Sequence, residues 1–339
     1  NNYREKKMIK LIQNETMKML FKKKILLVFV ILLIEITAVN YGQYDAYNKT
    51  IQNYTKTNSK SYDWKPLVNG QIQDIKSKLS EKSLSDGDRR TLNIKLDQYE
   101  YYLSKDINPV YPSSAKFTAD LMEEMASAFL PLLVVIFAGD SVSQEFSSKT
   151  IKVLLTRAVP RYKILLSKFI SLVIMSALVV FLSAFLSIAI SFVTFKNTGF
   201  MEPAATGFRV FKGRVISSGV IEIREWQYLL LMCSLCFFVA VVISAISLMV
   251  SVFARSTAAS IGIMMACLIG GSFFDYFIND WPLAKYFFPV NLNITQYLTG
   301  TFKPTDGMNL TFSIAVLSVW ALSSLVISFF VFCKRDVLV

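Results

Sequence analysis

The chain has 339 residues, of which 53 % are hydrophobic, 14 % aromatic and only 18 % charged. A soluble domain has roughly a quarter of its residues charged, so composition excludes an ordinary soluble protein. The net charge of +12 comes with no histidine at all, which excludes histidine-ligated metal centres and imidazole-based catalytic triads.

The first 24 residues hold eight basic side chains among apolar ones. Ile9, Ile12, Thr16 and Leu20 approximate one helical face, with Met8 and Met19 beside it. Residues 1–24 are therefore expected to form an amphipathic helix lying at a membrane interface. The apolar run that follows lacks a small-residue cleavage signature and reads as a span rather than a signal peptide.

Six apolar runs are long enough to cross a bilayer: 25–41, 121–142, 164–195, 226–253, 258–278 and 310–333. The expected fold is an all-α polytopic membrane protein, with domains at 1–24, 25–44, 45–117 and 118–339. Basic residues set its orientation. They crowd the N-terminus, the loop after span two (Lys149, Lys152, Arg157, Arg161, Lys163), the turn at Arg255, and the tail at Lys334 and Arg335. Both termini are expected in the cytoplasm. The loop 196–225, assigned outside, runs against this bias with five basic residues, partly offset by Glu202, Glu222 and Glu225.

Residues 45–117 form the one long polar block. Val68, Ile72, Ile75 and Leu79 have helical spacing, as do Leu92, Leu96, Tyr99 and Leu103, with Gly87 suited to the turn between them. An external helical hairpin is expected, serving as a lid or as a contact for a substrate or partner. The stretch before it and Pro109 and Pro112 read as tethers.

Within the apolar runs, Glu35 is costly unless it is paired, protonated or facing a polar cavity, so it is a candidate for the substrate path or gate. Pro131 removes a backbone donor from span two and is a candidate kink. Gly262, Ala266 and Gly270 suggest close helix packing in span five. Cys233 and Cys236 have CxxC spacing, but their apolar setting favours buried helix residues over a metal or redox pair.

The segment 137–169 leaves one span and enters another. Its expected helix, about 143–155, pairs Glu145 with Lys149 at i,i+4 and has an apolar side at Ile151, Leu154 and Leu155. The segment resembles the loop between spans two and three of ABC-2 type bacterial exporter permeases. In that family an acidic residue is followed by Gly-Thr, Leu-Leu, Pro-x-x-Arg and a later lysine. Glu145, Thr150, Leu154 with Leu155, Arg161 and Lys168 take those places. Lys149 stands at the glycine position, and Pro160 stands just before Arg161 where the family has proline at the position of Ala158. The basic N-terminal helix and the turn 251–264 resemble the family's connecting helix and its span-four to span-five turn.

The resemblance implies six transmembrane helices of the type V exporter-like kind and a cytoplasmic coupling helix that meets an ATPase through Glu145, Lys149, Thr150, Ile151, Leu154, Leu155, Pro160 and Arg161. It implies a bacterial cell-membrane permease that moves a peptide, lipid, drug or ion outward. None of the 13 glycines precedes a lysine, so the chain has no phosphate-cradling GxxxxGK[ST] loop and is not expected to be an enzyme. No cofactor is expected in this chain; ATP and Mg would be held by partner ABC ATPase subunits, two in number. The other expected partners are a second membrane subunit, identical or homologous, and membrane lipids; nucleic acid is not expected. The alternative function is a membrane sensory or antibiotic-resistance component that binds a peptide or lipid without transporting it.

Overall fold

The computed structural model describes residues 2–57, 63–81, 84–110, 112–151, 159–211, 214–216, 219–254, 256–277, 283–301 and 308–334. Helix α1 (Asn2–Phe21) is followed by α2 (Lys24–Thr57), α3 (Trp64–Leu79) and α4 (Asp86–Ser104). Then come α5 (Ser114–Ser127), α6 (Phe129–Ala138), the single turn and a half of α7 (Ser143–Ser147) and the long α8 (Arg161–Phe195). Four short strands, β1 (Pro203–Thr206), β2 (Arg209–Phe211), β3 (Arg214–Ile216) and β4 (Ile221–Arg224), precede α9 (Glu225–Phe253). Helices α10 (Thr257–Phe277), α11 (Gln296–Thr299) and α12 (Leu310–Lys334) complete the set.

The chain is a helical membrane protein. Four described helices, α2, α8, α9 and α12, are long and apolar enough to span, and α5 with α6 makes a fifth if the pair counts as one. The sixth expected span corresponds to α10, whose described apolar stretch, Thr257–Gly271, is shorter. Helix α9 is the hub. It packs against α5, α6, α8, α10 and α12, burying Val239, Ala240, Ile243, Ala245 and Leu248 together with Ser244 and Ser247. Small side chains let neighbouring helices approach, and hydroxyls bond across the contact: Ser176 of α8 meets Ser244 of α9 at 2.9 Å.

One expected feature is present and two differ from the sequence expectation. The kink expected in span two at Pro131 is a full break: α5 and α6 meet at 60°, with Ala128 at φ −135° and ψ −54°. Pro131 has no N–H to offer the Ser127 carbonyl one turn back, so the helix cannot continue through that point. Helix α2 runs on to Thr57, so the polar stretch after residue 44 begins as helix, not as a tether. The fold is also not purely helical. β1 pairs antiparallel with β4, and β2 with β3; the alternation in Ile221, Glu222, Ile223 and Arg224 is the period-2 signal that marks a strand.

The insert helices α3 and α4 share a small core of Val68, Ile72, Ile75 and Leu96. Asp63 caps α3 and Ser85 caps α4 through their side-chain oxygens, satisfying amide donors that a helix start leaves free. The insert docks on the ribbons. Asp97 accepts from Arg214 at 2.8 Å and from the Val215 amide at 2.9 Å, and Tyr101 and Tyr102 pack edge-on against Phe208. The insert, the ribbons and the segment 284–301 thus form one headpiece at the end of the bundle opposite α7.

Candidate functional site

Helix α1 lies along the start of α8, and the face it turns inward is set by charge as much as by apolar residues. Met19 is buried, while Ile9, Met17 and Phe21 are exposed. The stripe therefore differs from the expected one: Ile9 points away, and Ile12, Glu15, Thr16 and Met19 share the packed side. The Ser171 hydroxyl donates to the Ile12 carbonyl at 3.1 Å and receives the Thr16 hydroxyl at 3.1 Å.

The centre of this joint is Lys168, on the second turn of α8 and fully buried. Its ammonium donates to Glu15 Oε2 at 2.8 Å, to Glu145 Oε1 at 2.7 Å and to the Ser141 carbonyl at 3.0 Å. Three donors meet three acceptors, so the ammonium is saturated. Glu145 Oε1 also accepts from Lys18 at 3.0 Å. Two carboxylates and two ammoniums make this group neutral, which is the condition for burying charge at tolerable cost. Burial alone would raise the Glu15 carboxyl, but the attraction and hydrogen bond of Lys168, then Lys18 and Lys22, hold it below its usual range.

A second cluster sits one turn away. Asp140, buried at the end of α6, accepts from Lys24 at 2.7 Å and Lys22 at 3.3 Å. Lys22 also donates to Gln144. Burial pushes the Lys22 ammonium down, against the pull of Asp140. From the other side, Ser251 at the end of α9 accepts from the amides of Val142 and Ser143 at 3.0 and 2.9 Å. Gly139 leaves no room for a side chain, since a Cβ there would come within 2.8 Å of Ile261 on α10. The segment 139–147 is therefore gripped by α1, α8, α9 and α10 together.

The expected coupling residues distribute unevenly. Glu145 and Ile151 are buried in the joint. The helix expected over 143–155 stops at Ser147, because Lys149 adopts a left-handed conformation at φ 57°. The expected Glu145–Lys149 pair gives way to Glu145 with Lys18 and Lys168, which reach it from helices packed against it, while Lys149 is exposed. Thr150 is exposed, and its amide donates to the Glu145 carbonyl at 3.0 Å. Leu154 and Leu155 lie outside the described residues. Pro160 is exposed at the start of α8, and Arg161 donates to the Cys333 carbonyl at the end of α12, 3.1 Å away. Glu15, Lys18 and Ser251 were not singled out by the sequence. The signal available was the spacing of Glu15, Lys18 and Lys22, which places all three along one side of a helix.

Glu35 is half-buried on α2. Its Oε2 is buried with no hydrogen-bond partner among the described residues, and the charge that reaches it is that of Glu124 on α5. Pro131 is buried in the first turn of α6, just past the break. Cys233 and Cys236 are free thiols, and Cys236 Sγ lies 3.4 Å from the Met122 carbonyl.

Residues 94–338 match the model of a family described as a protein of unknown function, DUF2705. The chain belongs to the DUF2705 family. The match begins inside α4, so it takes in the whole bundle from α5 onward and the later part of the insert. Two proteins of Bacillus subtilis (strain 168) are similar to this DUF2705 chain. One, the uncharacterized protein YhcI, is 28 % identical over 292 residues, covering 85 % of this chain and 88 % of its own length. The other, the uncharacterized membrane protein YdbK, is 29 % identical over 212 residues, covering 61 % of this chain and 78 % of its own.

Proposed function

We propose that this chain is the membrane subunit of an ATP-driven exporter of the ABC-2 kind, powered by a separate ATPase. Its six expected crossings comprise α2, the α5–α6 pair, α8, α9, α10 and α12. Both termini are placed in the cytoplasm of a bacterial cell and the headpiece outside. The ATPase pair would dock against the segment 143–155, and a second membrane subunit, identical or homologous, would complete the complex.

The observation that supports this reading is the ionic joint. A push delivered to the segment 139–151 reaches packed and hydrogen-bonded partners on three other helices. It meets Lys168 on α8, the clamp from α1 and the Ser251 contact on α9. The same segment joins the broken span to α8, so displacement there moves both helices. Chains of packed side chains and ion pairs of this kind can carry coupling between distant sites. The resemblance of Glu145, Thr150, Arg161 and Lys168 to the family loop supplies the direction of the reading.

Purification in mild detergent tests it. An ABC-type ATPase should accompany the chain, and its ATP hydrolysis should differ in the complex from that of the ATPase alone. Changing Leu154 and Leu155 together to Asp should detach it, by placing charge in the docking contact. A chain that purifies without an ATPase, or a double variant that retains the ATPase at full stoichiometry, would overturn the assignment.

A further inference from the structure

At the headpiece end, where α5 and α9 begin, a cleft of about 80 Å³ opens between the bundle and the insert. Asp120 and Lys116 of α5, Glu225 and Tyr228 of α9, Tyr102 of α4 and Thr299 line it. Glu225 is only 8 % exposed, and its Oε2 has no hydrogen-bond partner among the described residues. A buried carboxylate oxygen left unpaired is costly, and the residue that carries it lines the cleft. The one cation on the wall, Lys116, donates to the Pro109 carbonyl, and its charge attracts both Asp120 and Glu225. Glu123, nearby, is already occupied by the hydroxyls of Thr299 and Thr301 at 2.7 and 2.9 Å. The Tyr102 phenol is pushed above its ordinary range, first by burial and then by the negative charges of Asp120 and Glu225. Two acidic side chains against one ammonium give the wall of the cleft an excess of acidic groups.

A second cavity of about 190 Å³ adjoins it, sharing Pro109, Lys116 and Asp120. Its further walls include Phe117, Phe195 and Val110. Asp120 and Lys116 stand where the two meet, and the second cavity adds Gln43, Tyr47 and Ser113 to these apolar walls. A single water needs roughly 10 to 15 Å³ of such space, so the acidic cleft has room for an ammonium head and its first methylenes. Among the described residues no three metal-ligating side chains converge, whereas two carboxylates beside tyrosine rings suit an organic cation.

We infer that this cleft binds a primary ammonium group on a slim alkyl chain, held between Asp120 and Glu225 and roofed by Tyr102 of the insert. The insert then has a purpose in recognition: without α4 the cleft has no lid. The inference needs no ATPase and holds whether or not the chain transports what it binds.

The test uses the full chain in detergent micelles and n-butylammonium chloride as the probe, read as the thermal unfolding midpoint. Butylammonium should raise the midpoint saturably, as a ligand of the folded state does. Sodium chloride at the same ionic strength and n-butanol should not. Glu225→Gln and Asp120→Asn, which keep shape and remove charge, should each raise the half-saturating concentration at least tenfold. An equal rise with sodium chloride, no rise with butylammonium, or an unaltered response in both variants would overturn the inference. Should neither variant fold, the comparison of the three probes on the unaltered chain decides it.

Discussion

Lys168 on α8 and Glu145 on α7 lie 2.7 Å apart in a site from which Lys168 is wholly shielded. Removing one partner of such a pair leaves the other as an uncompensated buried charge, at a cost of about 3 to 5 kcal/mol. Lys168→Met should therefore destabilise the chain strongly, because Glu15 would lose the ammonium it pairs with and Glu145 would be left to the half-exposed Lys18. Adding Glu15→Gln and Glu145→Gln to Lys168→Met should restore much of the loss. Thermal unfolding of the purified variants in one detergent checks both steps. A single variant as stable as the parent would mean that the joint bears no load.

The same joint should respond to acid through Glu15, whose carboxyl is held below its usual value of 4.5 by Lys168 against the opposing effect of burial. A carboxylate with a depressed folded pKa adds stability that is fully present above the unfolded pKa and is lost as pH falls through the folded one. Above about pH 5 the parent chain should be more stable than Glu15→Gln. The difference should shrink as pH drops below 4.5 and the unfolded chain takes up its proton first. Melting curves of the two proteins between pH 3.5 and 7 give the comparison; parallel curves throughout would show that Glu15 keeps an ordinary pKa.

The headpiece offers a graded test of exposed against bonded charge. Arg214 is largely exposed in its pair with Asp97, and such pairs contribute only about 0 to 1 kcal/mol. Asp97 is more enclosed and also accepts the Val215 amide at 2.9 Å. Asp97→Ala should cost more than Arg214→Ala by about 1 kcal/mol, because it also strands a backbone donor. The difference should appear as faster proteolysis of the insert in Asp97→Ala.

Much of the bundle was legible because apolar length is a strong signal: α2, α8, α9 and α12 each follow directly from an apolar run. The hairpin was legible from the spacing of Val68, Ile72 and Ile75, the residues that form its small core. The joint was only half legible. Glu145 and Lys168 stood out through their family-like places, yet they are 23 residues apart, and nothing local says that they touch. Glu15 looked like one more charge on a basic helix, since partners 153 residues away leave no local trace. The end of α7 at Ser147 was hidden because Lys149 is an ordinary helix former by propensity, yet it takes the left-handed position of a helix C-cap, closed by its own amide on the Phe146 carbonyl and the Thr150 amide on the Glu145 carbonyl. The strands escaped because each is only three or four residues long.

Two adjacent glycines in α10 give the sharpest contrast. The expected close-packing residues Gly262 and Gly270 have nothing within 4 Å of where a Cβ would stand. Gly271, outside that spacing, carries the close approach: a Cβ there would lie 2.2 Å from Pro289 Cβ and 2.7 Å from its Cγ. A helical glycine costs about 0.5 to 1 kcal/mol relative to alanine, so Gly270→Ala should raise the unfolding midpoint slightly. Gly271→Ala should lower it, because the proline ring is rigid and sits in the turn Pro289–Asn291, which would have to move away from α10. Overpacking of this kind costs typically about 1 to 3 kcal/mol. The opposite signs at neighbouring positions separate packing from propensity, since propensity alone favours alanine at both. If both substitutions stabilise, the contact between α10 and Pro289 is looser than 2.2 Å requires. If both destabilise, the open side of Gly270 is covered in the assembled protein, and cross-linking through Gly270→Cys would then identify the helix that covers it.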